Sequence, residues 1–140
     1  MKKLLVSTLF LIASAYCGAA ELSPTHPIIG SWRVEVPGTS CSETYTFKSD
    51  GTTSVRSAGE VTETKFVISP KPRASGYYKI KDTITKTNGK PDCTGSSSPA
   101  GDVVRVFVRF DNSGSSFSFC KTEEQAGCVG PFTKVIGNEP

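Results

Sequence analysis

The chain has 140 residues, 16 of them basic and 13 acidic, a length that suits one domain rather than two. After Leu22 it contains no Leu and no Met, two of the strongest helix formers. Its apolar volume comes from Val, Ile, Phe and Tyr, which favour strands, so a helical bundle, a coiled coil and a large α/β fold are excluded.

Residues 1–20 read as a cleaved signal peptide. Lys2 and Lys3 form a basic start, Leu4 to Ala15 an apolar run, and Gly18-Ala19-Ala20 a small-residue cleavage site before Glu21. The run is shorter than the roughly 20 apolar residues that span a bilayer, so no transmembrane segment is expected. Cys17 lacks a lipobox Leu three residues before it, where Ser14 stands, so no lipid anchor is expected either. Cleavage removes two lysines and lowers the net charge from +3 to +1, which leaves no electrostatic case for nucleic acid. Cys41, Cys93, Cys120 and Cys128 remain. An even count in an exported chain implies two disulfides, and without a Cys-x-x-Cys spacing no metal site is expected. The expected location is periplasmic or extracellular.

Residues 21–27 read as a flexible N-terminal tail and 28–137 as a single β-barrel domain. Trp32, Val34 and Val36 alternate with Arg33 and Glu35, the period of a half-buried strand, and Pro37-Gly38 ends the run. Tyr45 and Phe47 alternate with Thr44, Thr46 and Lys48 in a second strand. Ser49-Asp50-Gly51-Thr52 marks a hairpin, because Gly tolerates the positive φ of a tight turn. Gly59 separates the third strand from the fourth, which Pro70-Lys71-Pro72 stops. Tyr77 to Thr87 reads either as one strand or as two around a turn at Lys81-Asp82. Asn88 to Asp102 is a long loop. Val104, Val106, Val108 and Phe110 alternate with Arg105, Phe107 and Arg109. Asn112-Ser113-Gly114 is a hairpin, Phe117 and Phe119 lie in the next strand, and Phe132 to Ile136 forms the last.

The fold class is therefore all-β, an antiparallel up-and-down barrel of eight strands, with nine as the alternative count. Eight is favoured because an even number closes antiparallel and because strand directions then put all four cysteines at one end. Disulfides need Cα atoms about 4.4–6.8 Å apart. Cys120–Cys128 with Cys41–Cys93 is the preferred pairing, with the other two connectivities open.

Gly30-Ser31-Trp32 at the start of the first strand, with an Asp-Gly hairpin after the second, resembles the calycin group, which includes lipocalins, avidins and small bacterial lipocalin-like domains. The resemblance covers residues 28–136 loosely. It implies that Gly30 lets the chain bend into the barrel, that Trp32 plugs one end, and that Lys134 from the last strand covers the indole. Avidin-type biotin sites use further Trp residues, and this chain has none. Trp32 followed by Cys41 also resembles periplasmic inhibitors of secreted metalloproteases, which act through an extended N-terminal segment; Glu21 to Pro27 is the matching stretch.

No catalytic constellation is expected. His26 is the only His and reads as a solvated tail residue. Glu123-Glu124 reads as a loop pair, and no G-x-S-x-G, P-loop or H-E-x-x-H occurs. Lys79, Lys81, Arg105 and Arg109 read as a solvated outer face, with Phe107 between the arginines either an exposed interaction anchor or covered by the N-terminal tail. The expected function is an exported, monomeric, non-enzymatic protein that uses no cofactor and binds a small apolar ligand. Its expected lining is Trp32, Tyr45, Phe47, Tyr78, Val106, Phe117 and Phe119, alongside Val34, Ile80 and Val108. The alternative is a protein-interaction module, such as an inhibitor of an exported hydrolase.

Overall fold

The computed structural model describes residues 21–137. The signal peptide expected at 1–20 lies outside the described residues, as do 138–140. Eight strands form one closed antiparallel barrel in sequence order. They are β1 (Gly30–Glu35), β2 (Ser42–Phe47), β3 (Thr52–Ser57), β4 (Glu60–Ile68), β5 (Tyr78–Thr87), β6 (Val103–Phe110), β7 (Ser116–Cys120) and β8 (Val129–Lys134). Tyr78 to Thr87 is thus one strand, with Lys81 and Asp82 in its middle. Closure comes from β1 pairing with β8, where Trp32 faces Lys134. The last strand starts at Val129 and ends at Lys134, earlier at both ends than the expected Phe132 to Ile136, because Val129 pairs with Phe119 across a bulge that puts the extra residue in β8.

The two barrel ends differ. One end is packed solid by Ile28, Trp32, Phe66, Ile68, Val108, Phe117 and Phe132, each at most 6% exposed. Burying each such side chain stabilises the fold by about 1.5–3 kcal/mol relative to exposure. Trp32 is the centre of this plug. Its indole Nε1 donates to the Ile28 carbonyl at 2.8 Å, Phe117 packs edge-on at 4.8 Å, and the Lys134 ammonium lies 5.2 Å from its ring centroid. Gly30 sits at φ +125°, with the Lys134 Cε 3.6 Å from where its Cβ would be. A side chain there would strain the backbone, while its Cβ would meet the lysine that covers the plug only at ordinary contact distance.

The N-terminal stretch belongs to this end. His26 is 6% exposed, which corrects the expectation of a solvated tail histidine. Its Nδ1 accepts from the Ile28 N–H at 3.2 Å, its Nε2 lies 3.2 Å from the Ser69 carbonyl, and its ring meets Tyr78 edge-on. Leu22 also packs on the core. The physical cause is the barrel mouth itself. Ile28 must cap it, and residues 22–27 are carried along in tight turns.

Phe107 is not the exposed anchor expected. The β4–β5 connection folds up the outside of the barrel, where Tyr77, 1% exposed, meets Phe107 edge-on and lies under Arg109 at 5.3 Å. Arg73 pins that connection to Glu123 in the β7–β8 loop at 2.8 Å.

Candidate functional site

The opposite end is a cup. It receives the β1–β2, β3–β4, β5–β6 and β7–β8 connections, and with them both disulfides, Cys41–Cys93 and Cys120–Cys128. The preferred pairing and its placement at one end are both observed. Two disulfides fit an oxidising, non-cytoplasmic compartment. No helix among the described residues is long and apolar enough to cross a membrane.

The cup encloses a cavity of about 360 Å³, within the range of small-molecule sites. Four of the expected lining residues, Tyr45, Phe47, Val106 and Phe119, stand on its wall, with Ile80. Trp32, Phe117 and Tyr78 lie in the packed end instead, with Val108, while Val34 pairs with Glu43 toward the cup but is buried off the cavity wall. Period two assigns a face but not a depth, and these residues share the inward face at the wrong depth.

Sequence reasoning missed the polar half of the wall. Glu43, Glu60, Asp82 and Asp92 all border the cavity, with Ser57, Thr62 and Thr64, and no Lys or Arg joins them. None of the four acids is in an ion pair among the described residues. The strands place them. On β5, Tyr78, Ile80, Asp82 and Ile84 alternate inward while Lys79 and Lys81 point out. On β4, Glu60, Thr62 and Thr64 are buried in phase with Phe66 and Ile68. A β-bulge where Glu63 gives way to Thr64 resets the β4–β5 register, and the Thr85 hydroxyl donates to the Glu63 carbonyl at 3.0 Å. Such an extra residue re-phases a strand, here keeping both Ile84 and Thr87 opposite inward threonines of β4.

Three of the acids are held by the chain. Asp92 accepts from the Thr94 N–H and hydroxyl, each at 2.7 Å, and from the Ser96 N–H at 3.1 Å. Glu43 accepts from the Tyr45 hydroxyl at 2.9 Å and the Ser57 hydroxyl at 2.6 Å. Glu60, 5% exposed, accepts from the Ser98 N–H at 2.6 Å and the Ser98 hydroxyl at 3.2 Å. Ser98 belongs to the long β5–β6 loop, which leans over the mouth. Cys41–Cys93 fastens that loop, and the Cys93 N–H donates to the Ser57 hydroxyl at 3.0 Å. Asp82 differs. Its Oδ1 is buried with no hydrogen-bond partner, and so is the Thr64 hydroxyl beside it. Burial pushes the Asp82 carboxyl above its ordinary value, with Thr64 partly opposing the rise. Burial first, and then the negative charges of Glu43, Asp82 and Glu60, push the Tyr45 hydroxyl strongly upward, so the three acids act on one point.

The wall that continues from β5 through β6 to β8 is apolar. Val104, Val106, Phe119 and Val129 line it, and Val104 and Val129 remain about half exposed at the rim. No group of three potential ligands close enough to hold a metal ion occurs among the described residues. His26 sits at the opposite end of the barrel. A second cavity, of about 400 Å³, lies outside the barrel against β6 and β7. Its charged walls are Arg109 and Asp111, both exposed, so it gathers no buried charge.

No family model matches the chain, and comparison with curated proteins and with solved structures finds no significant match.

Proposed function

We propose that the protein is an exported, non-enzymatic binding protein of the lipocalin-like, calycin type that holds a small ligand with an apolar body in the cup. The observation that carries this is the division of the barrel. One end spends its aromatic residues on a solid plug, while the other leaves about 360 Å³ open behind a disulfide-fastened loop. A barrel of eight strands is just wide enough either to fill with side chains or to hold one small ligand, and this interior does each at a different depth. The Gly30-Ser31-Trp32 turn, with Lys134 over the indole, supports the calycin assignment. The distance of the lone histidine from the cavity supports a binding rather than a catalytic role.

The neutral fluorescent probe N-phenyl-1-naphthylamine tests the reading. It brightens in the cup of the wild-type protein, and Val106→Trp, which fills the cavity, abolishes the signal while the far-ultraviolet dichroism of the barrel persists. Absence of brightening in wild type, or an unchanged signal in the Val106→Trp variant, overturns it.

A further inference from the structure

We infer that the cup selects a protonated amine carried on an apolar body, an inference that rests on the binding role proposed above. Glu43, Glu60, Asp82 and Asp92 border one cavity that contains no basic side chain. In a chain whose basic residues outnumber its acidic ones, that segregation is a property of the site. Strand alternation sends Lys79 and Lys81 outward from β5 and Asp82 inward between Ile80 and Ile84.

Acidic residues near one another do not by themselves make a site. The second observation is Thr64, 3% exposed, which lines the cavity with an unpartnered hydroxyl beside the equally unpartnered Asp82 Oδ1. Buried polar atoms are almost always paired, and leaving one unpaired costs stability. Here the Thr64 hydroxyl is the nearest donor to the Asp82 carboxyl and offsets its rise only in part, and neither the hydroxyl nor Asp82 Oδ1 completes a hydrogen bond on the cavity wall. Thr64 can both accept and donate, whereas an ionised Asp82 only accepts. Thr64 can donate to Asp82 while accepting from a ligand, so the group that completes the pair donates hydrogen bonds, and four surrounding acids with no basic side chain favour one that carries positive charge. An ammonium has three N–H donors and meets both needs, and a charge-assisted bond to Asp82 is of the stronger class.

A bare metal ion fits less well. No three potential ligands converge closely enough among the described residues, and the adjoining wall of Val104, Val106, Phe119 and Val129, which begins beside Asp82, offers no side-chain donor atoms. That wall suits a hydrocarbon or aromatic body, with the charged head directed toward β4 and β5. Anionic ligands are disfavoured, because each would be brought beside four carboxylates with no cation to offset them.

Three indoles of the same skeleton and different charge provide the test: tryptamine, tryptophol and indole-3-acetate, each titrated into the full protein by isothermal calorimetry at neutral pH. Tryptamine is expected to bind roughly tenfold or more tighter than tryptophol, with indole-3-acetate the weakest. In the Asp82→Asn variant, the advantage of tryptamine over tryptophol disappears. Equal or tighter binding of tryptophol in wild type overturns the amine preference. So does a failure of all three indoles to bind while N-phenyl-1-naphthylamine still does, and both results leave the binding role standing. Preservation of the tryptamine advantage in Asp82→Asn overturns the assignment of the head group to β4 and β5. Loss of the naphthylamine signal as well removes the binding role itself.

Discussion

His26 is buried and Asp82 half-buried, and burial moves the two groups in opposite directions. Burial lowers the imidazole from its ordinary 6.5, with the Ser69 carbonyl partly opposing the shift. The hydrogen bonds explain why protonation is resisted. Nδ1 faces the Ile28 N–H donor and must stay an acceptor, so the proton sits on Nε2, toward the Ser69 carbonyl. A second proton would set N–H against N–H. Because the folded-state value lies below the unfolded one, the stability that His26 contributes is full above 6.5 and is lost as pH falls below it. Melting curves at about pH 7.5 and about pH 5.5 check this. Wild type is expected to lose more thermal stability between the two than His26→Gln, since carboxylate titrations are common to both proteins. Equal losses would show that the latch between the N-terminal stretch and the β4–β5 connection does not depend on a neutral imidazole.

At the scale of elements, the strands and tight hairpins were legible and the paths of the longer connections were not. Alternation in Trp32-Arg33-Val34, Tyr45-Thr46-Phe47 and Val104 to Phe110 marks strands because a barrel wall has one face inside and one outside. The inward acids were written in the same text. Asp82 stands in phase with Ile80 and Ile84, and Thr62 and Thr64 with Phe66 and Ile68. They escape notice because an amphipathic reading treats every charge as outward, which fails where the interior is a cup. Nor does a strand pattern locate Tyr77 over Phe107, since a loop's path depends on distant partners such as Glu123. The disulfides act at this scale too. Cys41–Cys93 spans 52 residues of sequence and Cys120–Cys128 only 8. Loop-closure entropy then assigns about 4 kcal/mol to the first and about 2.5 kcal/mol to the second. Denaturant unfolding should find Cys41→Ser/Cys93→Ser less stable than Cys120→Ser/Cys128→Ser. The first variant should also release ligand faster, because Ser98 and the mouth loop lose their fastening. A smaller loss in the first variant would mean that the loop is held chiefly by Glu60 and Ser57.

The whole molecule divides stability from recognition along the barrel axis. The plug end stacks Phe117 on Phe132 at 4.8 Å and meets Trp32 edge-on, so its cost of truncation is that of a close-packed core. The cup end carries unpaired Asp82 and Thr64 and works against folding. Substitutions at the two ends should therefore have opposite signs. Phe117→Ala is expected to destabilise by about 3–5 kcal/mol at any pH. Asp82→Asn is expected to stabilise, and its pH dependence identifies the cause. The raised carboxyl value means that the penalty is absent below the ordinary 3.8, grows as pH rises through the folded-state value, and is complete above it. The melting temperature of Asp82→Asn should exceed that of wild type at neutral pH and converge with it in acid. Convergence in acid separates relief of a buried charge from better packing, which would persist at every pH. A stabilising change that also abolishes amine selectivity is what a site built at the expense of the fold requires. If Asp82→Asn instead destabilises at neutral pH, Asp82 is satisfied within the fold, and the cup holds no charge waiting for a partner.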